Sequence, residues 1–125
     1  MNISKGIGIF SLILFILSIS TFASNDGYVP AAEVMPSPVG GMKAIYKNIE
    51  YPEHAKKQGV QGKVYAMIYV SEDGKVNDVK IIKGLGYGCN EAAIEGIKKT
   101  LFNPGEHKGK KLKVKFAIPI TFKLN

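Results

Sequence analysis

Three side chains in this sequence could carry nucleophilic chemistry: Cys89, His54 and His107. Cys89 directly precedes Asn90 and Glu91, where a helix is expected to start, and a helix N-terminus lowers a thiol pKa. An enzyme using Cys89 with a histidine is therefore one reading. A thiol–imidazole pair also needs a third group to orient the base, and the sequence suggests none. His54 lies among Glu53, Lys56 and Lys57, and His107 lies in a Lys- and Gly-rich stretch, so both are expected in solvent. Cys89 is then expected as a packed thiol, because free cysteine behaves as a small hydrophobe. No catalytic residue is assigned. A single cysteine excludes an intrachain disulfide and metal sites built on paired cysteines, and no metal or cofactor is expected.

Glu72 and Asp73 resemble a carboxylate pair, yet Ser71-Glu72-Asp73-Gly74 reads as a tight turn, whose adjacent side chains diverge. Gly84, Gly86 and Gly88 are spaced G-x-G-x-G, which fits neither a dinucleotide fingerprint nor a P-loop. They read as a flexible strand–helix connection. Tyr65 and Tyr69 share one strand face and are expected to pack beneath a helix.

The elements that position these groups must come from 125 residues, enough for one domain with one core. The composition, 46% hydrophobic and 22% charged, is globular. The net charge of +7 comes entirely from lysines spread along the chain. Without arginine, the usual bidentate reader of phosphates and base edges, nucleic acid is not an expected partner.

Residues 1–23 read as a signal peptide. Lys5 supplies the charged start, Ile7 to Ile19 the apolar core, and Thr21-Phe22-Ala23 a small-residue cleavage site. An uncleaved membrane anchor over Gly6 to Ala23 is the alternative. Residues 24–41 read as a linker, extended and poorly ordered, with Pro30, Pro36, Pro38 and several glycines.

Residues 42–125 read as the domain. Met42, Ile45 and Ile49 share a helical face. Pro52 opens a second short helix that Gly59 stops. Lys63 to Val70 alternates as a strand, turns at Ser71–Gly74 and returns as Lys75 to Lys83. The step from Val76 to Val79 predicts a bulge near Asn77-Asp78. Asn90 is the expected N-cap of a helix with the stripe Ala93, Ile94, Ile97 and Leu101, ended by Asn103-Pro104-Gly105. From Leu112 to Leu124 apolar residues alternate strictly with Lys113, Lys115, Ala117, Thr121 and Lys123. Pro119 falls on the wet face and donates no ladder bond, which predicts an edge strand. The order helix–hairpin–helix–strand predicts an α+β fold: a small antiparallel three-stranded sheet with helices packed on one face.

In order and spacing these segments resemble the TonB C-terminal domain family. The matching pieces are Tyr51-Pro52 with Ala55, Gly62-Lys63-Val64, Asp73-Gly74-Lys75-Val76 and the loop Gly84 to Gly88. Asn90-Glu91-Ala92-Ala93, Phe102-Asn103-Pro104-Gly105 and Ile118-Pro119-Ile120-Thr121-Phe122 complete the set. The resemblance runs from about Gly41 to Leu124. It implies a periplasmic domain that binds the N-terminal peptide of an outer-membrane transporter, in TonB-dependent transport, by adding it as a strand to the last strand. The implied peptide-binding edge is Lys113, Val114, Lys115, Phe116, Ala117, Ile118, Pro119, Ile120 and Thr121. Another periplasmic protein, or a second copy pairing edge to edge, is a further expected partner.

The sequence departs from the family pattern in two respects. A full transducer has a membrane helix carrying a histidine, whereas Gly6 to Ala23 holds no ionisable residue. Ser24 to Gly41 extends to at most roughly 60 Å, short for crossing a periplasm. The expectation is thus a periplasmic binding module, with a membrane-anchored energy transducer as the alternative.

Overall fold

The structure is a computed structural model that describes residues 26–125; the expected signal peptide or anchor lies outside the described residues. Among the described residues no helix is long and apolar enough to cross a membrane. The elements are β1 (Ser37–Pro38), α1 (Met42–Asn48), α2 (Glu53–Lys57), β2 (Gly62–Val70) and β3 (Val76–Lys83). They continue with α3 (Cys89–Lys98), β4 (Phe102–Asn103), β5 (Gly105–His107), β6 (Lys110–Leu112) and β7 (Val114–Phe122). The expected α+β architecture is present: a three-stranded antiparallel sheet of order β3-β2-β7, with two short ribbons, β1-β4 and β5-β6.

Alternation decides which face is buried. Val64, Ala66, Ile68 and Val70 of β2 are fully buried and lie opposite Ile120, Ile118, Phe116 and Val114 of β7. Ile45 of α1, Ala55 of α2 and Ala93 and Ile97 of α3 close over that face as one core. Helices α1 and α3 approach closely at Gly96, where a Cβ would lie 2.3 Å from Ile49 Cγ1. Asn48 Nδ2 donates to Thr100 Oγ1 (2.9 Å), which in turn donates to the Gly96 carbonyl, so the crossing is also hydrogen-bonded.

The β2–β3 turn is held by main-chain bonds between Ser71, Gly74 and Lys75, with Asp73 accepting from the Lys75 amide at 3.1 Å. Gly74 sits at φ +86°, and a Cβ there would meet the Phe102 carbonyl at 2.0 Å. Asn77 is the expected bulge residue, skipped between Tyr69↔Asp78 and Val70↔Val76. A second irregularity skips Ile82, which is why that isoleucine is 58% exposed.

Several expectations change. Gly88, in the left-handed region, caps α3, and the helix begins at Cys89. Asn90 instead turns its carboxamide oxygen back to the amides of Leu85 (2.9 Å) and Gly86, fixing the glycine loop. The helix stops at Lys98, so Leu101 lies beyond it and is 61% exposed. Phe102 is needed elsewhere: it pairs with Pro38 and donates its amide to the Gly74 carbonyl. The terminal strand is broken at Lys113. Lys110–Leu112 folds back on Gly105–His107 through Lys108 and Gly109, both at positive φ, as a tight hairpin requires. His107 is therefore in a strand and not in a loop.

The described part of the proline- and glycine-rich segment is pinned to the domain, contrary to the expected poor order. Val29 bridges β7, Val34 bridges Glu106, and Ser37-Pro38 pair with Phe102-Asn103. Its proline-free positions supply amides and carbonyls to edges the domain leaves open, which composition alone does not reveal.

Candidate functional site

Strand β7 is an outer strand of the sheet, with β2 on its inner side. In an antiparallel ladder, main-chain groups of alternate residues point to opposite sides. The parity is fixed by three bonds. The Lys115 amide donates to the Val29 carbonyl (3.0 Å), the Lys113 carbonyl accepts from the Val29 amide (2.9 Å), and the Thr121 amide donates to Tyr46 Oη (3.0 Å). Odd-numbered residues thus face outward, and Val114, Phe116, Ile118, Ile120 and Phe122 bond to β2. Pro119, opposite Tyr65, costs the ladder nothing because its nitrogen faces out.

Among the described residues, the outward amide of Ala117 and the carbonyls of Lys115, Ala117 and Pro119 have no partner. The open edge is about 14 Å of strand. It is closed at one end by Val29 and at the other by Tyr46. The nine edge residues expected from sequence are contiguous here, but the groups free to pair lie at Lys115 to Pro119.

The two faces beside this edge differ. Phe116 and Ile118 point to the helix-covered face yet are only half-buried, because α3 packs over β3 and β2. Phe116 rests edge-on against Phe102, with centroids 6.1 Å apart. The apolar layer is unfinished along β7. The opposite face carries Lys115, Ala117, Pro119 and Thr121 beside Tyr65 and Met67. Tyr65 and Tyr69 lie on this face, away from the helices, contrary to expectation. Tyr69 is covered by Tyr28, edge to face at 5.1 Å, with Lys80 over its ring. The Val64–Val70 set had already taken the helix side.

The other chemical candidates do not assemble. Cys89 is fully buried, and burial, then the Glu91 carboxylate, push its thiol pKa up, the opposite of an activated nucleophile. The His54 ring lies against Tyr87, and His107 Nδ1 lies 3.8 Å from Glu33. Asp73 accepts from the Ser71 hydroxyl and the Lys75 amide; these two bonds lower its pKa and give it a turn role. Among the described residues no group of three His, Cys, Asp or Glu side chains is arranged to hold a metal. A depression of about 530 Å³ between α3 and the α1–α2 connection is lined by Glu50, Glu53, Glu91 and Glu95 together with Lys56 and Lys99. It is polar and has no convergent set of groups.

Fold and edge together define a small α+β domain, helix-covered on one side and open along one outer strand. Residues 47–124 match the family model of the Gram-negative bacterial TonB protein C-terminal domain, and the chain belongs to that family. It is 32% identical over 77 residues to Protein TonB of Xanthomonas campestris pv. campestris (61% of this chain, 34% of that protein). It is 30% identical over 77 residues to Protein tonB2 of Pseudomonas aeruginosa (61% and 28%). The chain thus spans about a third of the length of the curated relatives it matches. The solution structure of the Helicobacter pylori TonB C-terminal domain (residues 194–285) superposes with a TM-score of 0.54 at 32% identity, covering 65% of this chain and 86% of that one. The Pseudomonas aeruginosa TonB C-terminal domain shares the fold at 20% identity, TM-score 0.51, covering 81% and 96%.

The sequence made β7 legible through its alternation and Pro119. It did not reveal Tyr46 or Val29 as the groups that bound the open edge. Tyr46 stands off the apolar stripe of α1, and its only signal is an exposed aromatic; Val29 sits alone between prolines and glycines.

Proposed function

We propose that this domain binds an extended peptide by strand addition to β7, as a periplasmic protein-binding module of TonB-dependent transport. The observation that carries the reading is the open main-chain edge at Lys115, Ala117 and Pro119. An added strand gains hydrogen bonds there and places alternate side chains on the two faces. One set completes the apolar layer beside Phe116 and Ile118. The other lies near Lys113 and Lys115, which favours acidic residues in the partner. Membership of the TonB C-terminal family supports the N-terminal peptide of an outer-membrane transporter as that partner. Residues 1–23 act as the export signal in this reading, and the buried, proton-retaining Cys89 gives thiol chemistry no support.

The test is calorimetric titration with N-terminal peptides of the host's outer-membrane transporters. Saturable binding that a scrambled peptide does not reproduce supports the proposal. Absence of binding at millimolar peptide, by a protein whose fold is intact, rejects it.

A further inference from the structure

We infer that residues 26–30 form a built-in competitor strap that occupies the N-terminal end of the β7 edge and must leave before a strand can pair along the whole edge. The inference rests on the strand-addition reading above. Val29 runs parallel to β7 and takes the Lys113 carbonyl and the Lys115 amide, main-chain groups in line with the open ones at Ala117 and Pro119. Asp26 pairs with Lys115 at 3.2 Å, so the strap also uses the lysine that would attract an acidic peptide. Tyr28 anchors the segment on the sheet: its ring meets Tyr69 edge to face, Asn77 Nδ2 donates to its hydroxyl (2.6 Å), and Lys113 lies over it.

The geometry makes the two occupants exclusive. Val29 holds both the Lys113 carbonyl and the Lys115 amide, so a strand that pairs with either group must take the place of Val29. The anchoring contacts are few and at the surface, so this end opens without unfolding the core. Peptide affinity is then divided by the fraction of molecules whose strap is open.

The experiment compares the protein with its Tyr28→Ala variant, and with Asp26→Lys as a second variant that sets like charge against Lys115. The probe is a transporter N-terminal peptide, and amide hydrogen exchange is read with and without it. The expected result is binding tighter by about tenfold for Tyr28→Ala, the factor carried by one aromatic pair with its hydrogen bond. In the wild-type complex the Val29 amide loses protection while the Lys115 amide keeps it. Unchanged affinity in both variants, with Val29 still protected in the complex, overturns the strap and leaves strand addition standing. Absence of peptide binding by wild type and both variants removes strand addition, and the strap's competitor role with it.

Discussion

A proline placed at successive positions of β7 separates the two sides of the strand. At Ala117 the amide points outward and has no partner among the described residues, so Ala117→Pro removes no ladder bond. Pro119, two residues on, already occupies the equivalent outward position. The expected loss of stability is about 1 kcal/mol or less, from adjusting φ toward the proline value. At Ile118 the amide faces Ala66 of β2. Ile118→Pro removes a ladder bond and leaves a carbonyl of β2 unpaired, at a cost of about 2–4 kcal/mol. That is a large part of a small domain's stability of about 5–15 kcal/mol. Urea unfolding with a common slope measures both changes. Peptide binding should respond in the opposite sense to stability. Ala117→Pro loses the one free donor of the edge and crowds the approaching strand, weakening binding about tenfold or more. Equal destabilisation by both substitutions would refute the assigned parity. Full peptide affinity in the Ala117→Pro protein would refute pairing at this edge.

Other consequences are equally open to measurement. Cys89 should react slowly with iodoacetamide at neutral pH and rapidly in denaturant, since burial raises its pKa; fast reaction in the folded protein would restore the case for thiol chemistry. Gly74→Ala should destabilise by about 2–4 kcal/mol, combining strain at positive φ with a clash against the Phe102 carbonyl, as read by thermal or urea unfolding. The Asp26 pKa is lowered, first by the Tyr28 amide and then by Lys115. A depressed carboxylate pKa means that its contribution is present above the ordinary value of 3.8 and is lost as pH falls through the lowered one. Protection of the Val29 and Lys115 amides should therefore decline on acidification below that value, and it should persist in Asp26→Asn only to the extent that Tyr28 holds the strap.

Alternation made most of the sheet readable. Leu112 to Leu124 and Val64 to Val70 carry a period of two, and one face of each had to be buried, so the sheet followed from side-chain alternation and the edge position of β7 from Pro119. The misreadings fall where main-chain bonds decide. Leu101 continues the helical stripe of Ile94 and Ile97, but Phe102 pairs with Pro38 and hydrogen-bonds Gly74, so the chain must leave the helix before them. Asn90 looked like an N-cap because its carboxamide can accept from free amides; it accepts from Leu85 and Gly86 instead. The strap was illegible because a single residue, Val29, makes its two bonds to β7, and one residue has no periodicity. Tyr65 and Tyr69 lie on the face opposite the expected one, because the strand pattern gives two faces without saying which one a helix covers.

Strand addition to β7 turns on one amide. Hydrogen exchange at Ala117 should be fast in the free protein and strongly slowed by a saturating transporter peptide, with Phe116 and Ile118, already bonded to β2, protected in both states. An Ala117 amide that exchanges at the same rate with and without bound peptide would contradict strand addition to β7.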